Sequence, residues 1–82
     1  MIHDIRVYQK DFERVLSGKQ KWILALDDRD YRKSDILRIK EYNYENGSYT
    51  GRELSREVIA LSESLNTKGL SDGYIIMSIR KY

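Results

Sequence analysis

The 82-residue chain has no cysteine, no proline, and only one each of histidine, tryptophan and phenylalanine. Without thiols there is no disulfide staple and no thiolate metal site, and a single imidazole leaves carboxylates as the only further ligands, so structural zinc is not expected. No cofactor is expected either, and packing alone must hold the fold. Long apolar runs are also missing. The longest, Trp22 to Leu26, is far shorter than the roughly 20 residues a bilayer-crossing helix needs. No charged-then-apolar leader opens the chain, and the expectation is a soluble, cytoplasmic protein with no membrane partner. Charge of one sign is scarce: 15 Lys and Arg stand against 13 Asp and Glu, a net charge of +2. That balance describes a solvated surface rather than a polyanion-binding tail. With 40% hydrophobic residues there is material for one small core, hence one domain over residues 1–82.

What is present is tyrosine, seven in all, set with Ile and Val in short segments between clusters of Gly, Asn, Asp and Ser. This is the pattern of a mainly β domain with tight connections. Ile5 and Val7 alternate with Asp4 and Arg6, which predicts a first strand over Ile2–Val7 with His3 on the apolar face. Phe12, Val15 and Leu16 then fall at helical spacing, one turn after Tyr8. They predict an amphipathic helix over Tyr8–Ser17 stopped by Gly18 in the left-handed conformation. Trp22-Ile23-Leu24-Ala25-Leu26 is apolar on both faces and is expected to be a central strand covered on both sides. Residues 27–35, dense in Asp and Arg, are expected as an exposed loop. Leu37, Ile39 and Glu41 share one face of the next strand, with Arg38, Lys40 and Tyr42 on the other.

Asn46-Gly47 predicts a hairpin built on a type I′ turn, because both residues tolerate positive φ. The returning segment Tyr49–Leu61 alternates only weakly. Leu54, Val58, Leu61 and Leu65 also fit a helix, so strand and partial helix both stay open for residues 54–65. Residues 66–73 are expected as a loop with at most one helical turn, and Tyr74–Arg80 as a last strand with Ile75, Met77 and Ile79 on one face. The predicted order is β-α-β-β-β-β.

The helix ending at Gly18, the aromatic-apolar strand from Trp22, Asp28-Arg29-Asp30-Tyr31, Asp35-x-Leu37-x-Ile39-x-Glu41 and the closing Gly73-Tyr74-Ile75-Ile76-Met77-Ser78-Ile79 together resemble a small, phage-associated branch of the ASCH domains. These belong to the PUA-like superfamily. The resemblance runs from His3 to Ile79. It implies a small β-barrel of five or six strands with one or two helices, an α+β fold. It also implies a cleft beside the first helix for RNA or a nucleotide-like ligand, and a phage or prophage gene expressed in a bacterial cytoplasm. Relatives that hydrolyse acetylated cytidine use a Lys and a Thr at positions that fall here on Gln20 and Ile23; Ala25 likewise replaces a polar residue. None of the three can activate a nucleophile, and a neighbouring Lys21 would point to the opposite face of a strand. The resemblance therefore implies a binder and no catalytic residue. The glycine usual before Asp35 is Ser34, a change expected to affect only the turn.

Five residues are candidate ligand contacts: His3, Lys19, Lys21, Arg29 and Glu41. His3 sits where the phage branch often has histidine, and Glu41 is a carboxylate on an apolar face. From residue 19 to 40 seven basic residues face four Asp, a local excess of +3. With Trp22, Tyr31 and Tyr42 nearby this is what single-stranded RNA recognition uses, cations for phosphates and rings for unpaired bases. Trp22, Tyr31, Tyr42, Tyr44 and Tyr49 are thus candidate stacking or partner contacts. Each also has an ordinary structural role: a core Trp, a solvated charged loop, a cross-strand Tyr cluster. The sequence expectation is a non-catalytic RNA- or nucleotide-binding module. Its competitor is a phage factor that binds and inhibits a host defence or nucleic-acid-processing enzyme, and a small amidohydrolase comes third. The sequence leaves the oligomeric state open.

Overall fold

The computed structural model describes residues 1–63 and 73–82, which form five strands and one helix. The order is β1 (Ile2–Tyr8), α1 (Gln9–Leu16), β2 (Trp22–Leu26), β3 (Ile36–Asn43), β4 (Ser48–Glu63) and β5 (Tyr74–Lys81). All five strands join one sheet in the order β1-β3-β4-β5-β2, with β1 parallel to β3 and every other neighbour antiparallel. A parallel pair needs a crossover. Here α1 and β2 supply it.

The sheet curls into a half-barrel because β4 serves two partners. Its first part pairs with β3 and its second with β5, and the register shifts between Lys40 and Tyr42 and again between Val58 and Ala60. An unmatched residue bends and twists a strand. The second shift turns Ile59 outward while Val58 stays fully buried. Inside the curl lie Val7, Ile23, Leu37, Ile39, Val58, Ile75, Met77 and Ile79, closed over by Phe12 and Val15 of α1. The helix runs only two turns, because Ser17 ends it and Gly18 takes φ 81°, a conformation that costs glycine no Cβ clash.

Three expectations change and one open alternative closes. β2 is an edge strand: its inner residues Ile23 and Ala25 pack on the core, while Trp22, Leu24 and Leu26 are about half exposed, so apolarity on both faces did not mean cover on both faces. The β3–β4 connection is a four-residue loop, Tyr44–Gly47, in which only Gly47 has positive φ. Asn43 builds it instead: its Oδ1 accepts from the Glu45 and Asn46 N–H groups, and its carbonyl accepts from Gly47 N–H. Residues 54–63 are strand, and the helical reading fails because Leu54, Val58 and Leu61 turn to the core by period two, with a bulge absorbing the odd residue. Leu65 and, apart from Gly73, the segment 66–73 expected as a loop lie outside the described residues. Finally, Ser34 has φ 76°, so the position does more than shape a turn: it demands a conformation that only glycine takes without strain.

Candidate functional site

Each buried polar residue of the half-barrel is engaged in holding the frame. His3 Nε2 lies 2.8 Å from Asp35 Oδ2, the Met1 amine is 3.1 Å from Oδ1, and the Arg32 backbone N–H donates to Oδ2 at 3.0 Å. Tyr31 packs edge-on against the His3 ring, with centroids 4.7 Å apart. This cluster ties the start of β1 to the start of β3. Burial works to raise the Asp35 pKa, but the His3, Met1 and Arg32 contacts outweigh it and hold the carboxyl below its ordinary value. For Tyr31, burial pushes the phenol up, with Arg29 opposing and Asp28 and Asp27 adding to the rise.

Glu41 is equally buried and belongs elsewhere. Thr50 Oγ1 donates to its Oε1 at 2.6 Å, and Arg52, lying over the Phe12 ring, bridges it to Glu13 of the helix. In the β1–β3 register His3 stands opposite Leu37 and Val7 opposite Glu41, so the two candidates are four strand residues apart, roughly 13 Å. No cleft brings them together. Gln20 is buried and donates through Nε2 to the Trp22 carbonyl, and Ile23 is in the core.

The open ground is the seam between the two edge strands, β1 and β2, which are not paired to each other. One hollow opens beside its end, where the helix stop and the start of β2 meet β4 and β5, and two more follow one another along it. The first, about 280 Å³, gathers Lys21, Arg56, Arg80 and Lys81 around Gly18 and Gln20 and has no carboxylate in its lining. Arg80 pairs with Glu57 at 2.7 Å; Lys21, Arg56 and Lys81 have no carboxylate partner among the described residues. The second, about 350 Å³, shares Gln20 with the first and adds Trp22, Leu24, Tyr8, Tyr44 and Arg6. The third is a trench of about 650 Å³ that shares Arg6, Tyr8, Leu24 and Tyr44 with the second. There Tyr49 and Lys40, from the β1 side of the sheet, face Leu26 and Tyr74 from the β2 side, with Arg29, Tyr31, Asp4 and Asp28 also in the lining; Asp4 pairs with Lys40 at 3.5 Å and Asp28 with Arg29 at 3.4 Å.

Aromatic rings line this path in contact with one another. Tyr8 and Tyr44 are 4.1 Å apart, Tyr42 and Tyr44 4.7 Å, and Tyr42 and Tyr49 4.9 Å between centroids. The Arg6 guanidinium sits 4.8 Å from the Tyr42 centroid and the Lys40 amine 5.9 Å from that of Tyr49. Arg29 reaches over Tyr31 and donates to the Asp4 carbonyl at 3.1 Å. Of the residues singled out in the sequence, Lys21, Trp22, Arg29, Tyr31, Tyr44 and Tyr49 line the seam or the hollow beside its end; Tyr42 supports its rings; Lys19 is exposed beyond the helix end; His3 and Glu41 are frame residues. Arg6, Tyr8, Tyr74, Arg56, Arg80 and Lys81 were missed. Arg6 and Tyr8 were legible, since alternation with Ile5 and Val7 puts them on the outer face; the other four come to these hollows only through the curl.

Among the described residues no group of three or more His, Asp or Glu gathers as a metal set, and no helix is long and apolar enough to cross a membrane. Fold and site thus define, among the described residues, a small curled β half-barrel with one helix, an aromatic seam and a cationic hollow beside its end. The chain belongs to the family described as Domain of unknown function (DUF3850), whose model matches residues 2–79. It is similar to the "Uncharacterized 12.9 kDa protein in GpA 3'region" of Escherichia phage P2, 29% identical over 62 residues, which are 76% of this chain and 55% of that protein. The chain thus spans about half the length of that curated relative.

Proposed function

We propose that this protein is a non-catalytic, phage-type ASCH/PUA-like module that binds single-stranded RNA along the seam. The observation that carries the reading is the adjacency of a cationic hollow to the aromatic seam, the two meeting at Gln20. A cluster of cations with no carboxylate in its own lining meets, at Gln20, two hollows lined by Trp22 and tyrosines, in which Asp4, Asp11 and Asp28 also stand. Unpaired strands are held by this combination, phosphates on Lys and Arg and bases on exposed rings, with stacking worth about 1–3 kcal/mol per base. The β-α-β-β-β-β order in a curled sheet supports the superfamily assignment, as does a positive φ at Ser34, where the resembling domains carry glycine. The non-catalytic reading is supported by Gln20 and Ile23, which stand where the acetylcytidine hydrolases carry Lys and Thr: one is tied to a carbonyl and the other is packed in the core.

Fluorescence anisotropy with short labelled RNAs tests this. Single strands are expected to bind at low salt and duplexes of the same sequence more weakly, and Trp22→Ala/Tyr44→Ala is expected to lose about tenfold or more. Equal binding of single and double strands would reduce the seam to a generic cationic surface. A second reading, a factor that binds and inhibits a host enzyme, is favoured by the exposed row Trp22, Leu24 and Leu26. It expects one discrete host enzyme to be inhibited by the parent and not by Leu24→Lys, with no RNA affinity.

A further inference from the structure

We propose that β2 pairs edge to edge, antiparallel, with β2 of a second copy of this chain, about a two-fold axis through Leu24. The backbone sets the register. Lys21 C=O and Asp27 N–H bond toward β5, at 3.0 and 2.8 Å, so along an antiparallel ladder the alternate residues Trp22, Leu24 and Leu26 turn their N–H and C=O groups to the free edge. Self-pairing must match these outward groups with one another. Centred on Leu24, Leu24 meets Leu24 of the copy and Trp22 meets Leu26 twice, each as a hydrogen-bonded pair. The half-exposed side chains of the same three residues then lie side by side across the axis.

Charge selects the same register. In it Lys21 of each copy stands directly opposite Asp27 of the other, giving two opposite-charge pairs at the ends of an otherwise uncharged strand. Shifting by the next allowed step sets Lys21 against Ala25, or Ile23 against Asp27, and loses both pairs. An exposed edge without charge, proline or bulge is the kind that proteins ordinarily cover, and a second copy covers it with matched groups throughout. The Trp22 carbonyl already accepts from Gln20 Nε2 and uses its second lone pair for the copy. Because the proposed RNA path runs past this edge, dimer and single strand exclude each other.

The chain has no native cysteine, so one substitution reads the register directly. Leu24→Cys is expected to form an intermolecular disulfide under mild oxidation, since directly opposed strand residues lie about 5.5 Å apart, within disulfide reach. Trp22→Cys, whose own copy lies several residues away, is expected not to cross-link. By sedimentation equilibrium without RNA, the parent is expected to dimerise. Lys21→Asp is expected to weaken dimerisation about tenfold, and Lys21→Asp/Asp27→Lys to restore it. All four side chains are exposed, and circular dichroism confirms the fold of each variant. A parent that stays monomeric at millimolar concentration, equal cross-linking of both cysteine variants, or a charge swap that fails to restore dimers would each overturn the proposal. None of these outcomes depends on RNA binding.

Discussion

The two edges of the sheet are built oppositely. β1 carries Asp4 and Arg6 outward, is anchored at its start through His3 and Asp35, and has its Asp4 carbonyl occupied by Arg29. β2 presents Trp22, Leu24 and Leu26 with no charge between Lys21 and Asp27, and on its free edge Gln20 donates to the Trp22 carbonyl. Natural sheets blunt an edge with charge or cover it. One edge here is blunted and the other is bare, across a seam with a cationic hollow beside one end. The difference is what the proposed function and the proposed pairing both use: β1 is tied into the frame, and β2 is the edge left open.

The sharpest way to test that division is inside β2 itself. Ile23→Ala, on the buried face, is expected to cost about 3–4 kcal/mol, whereas Trp22→Ala next to it costs under about 1 kcal/mol while weakening RNA binding. Urea unfolding of both variants checks the contrast; equal losses would mean that Trp22 is a core residue after all. Next comes the anchor. Asp35→Ala strands the His3 ring and the Arg32 N–H without their acceptor and is expected to cost about 2–3 kcal/mol.

The same group sets an acid limit. Because its folded pKa is depressed, Asp35 contributes stability that is fully present above the unfolded carboxyl value near 4, and that contribution is lost as pH falls through the lower folded value. Asp35→Asn is expected to flatten the acid limb of a stability–pH curve; an unchanged limb would assign acid sensitivity to other carboxylates.

Smaller effects refine the picture. Ser34→Gly relieves a left-handed residue and is expected to raise stability by about 1 kcal/mol. Thermal melting checks it, and a loss instead would mean that the serine hydroxyl is needed. Arg29→Ala frees the Asp4 carbonyl and is expected to cost only about 0.5 kcal/mol. Its useful readout is faster hydrogen exchange confined to the β1 edge; exchange that stays unchanged would show that Arg29 does not protect this edge.

Much of the frame was legible from periodicity. Ile5–Val7, Phe12–Val15 and Ile75–Met77–Ile79 announced their elements, and Gly18 its helix stop. What failed shows where local pattern ends. Trp22–Leu26 reads as buried because a strand's own residues cannot say whether a neighbour lies beyond it, and here the curl leaves that side open. The long β4 hid its alternation because the bulge at Ile59 changes phase mid-strand. Asn46-Gly47 promised a two-residue turn, but Asn43, one residue outside that signal, shapes a longer loop with its side chain. For the site, aromatic and basic types were readable, yet which of them meet was decided by topology. His3 and Glu41, the most reactive types in the chain, became frame residues because β1 and β3 place them far apart and each found a buried partner.

The central claim, that the cationic hollow beside the seam holds the phosphates of a single strand, is tested most directly by the salt dependence of RNA binding. Lys21, Arg56 and Lys81 are cations without carboxylate partners among the described residues. Three such contacts predict a slope of log K against log salt near −2, from about −0.7 per phosphate on a single strand. Lys21→Ala/Lys81→Ala is expected to reduce it to about −0.7. A parent that binds with no salt dependence, or a double variant whose slope equals the parent's, would contradict the account.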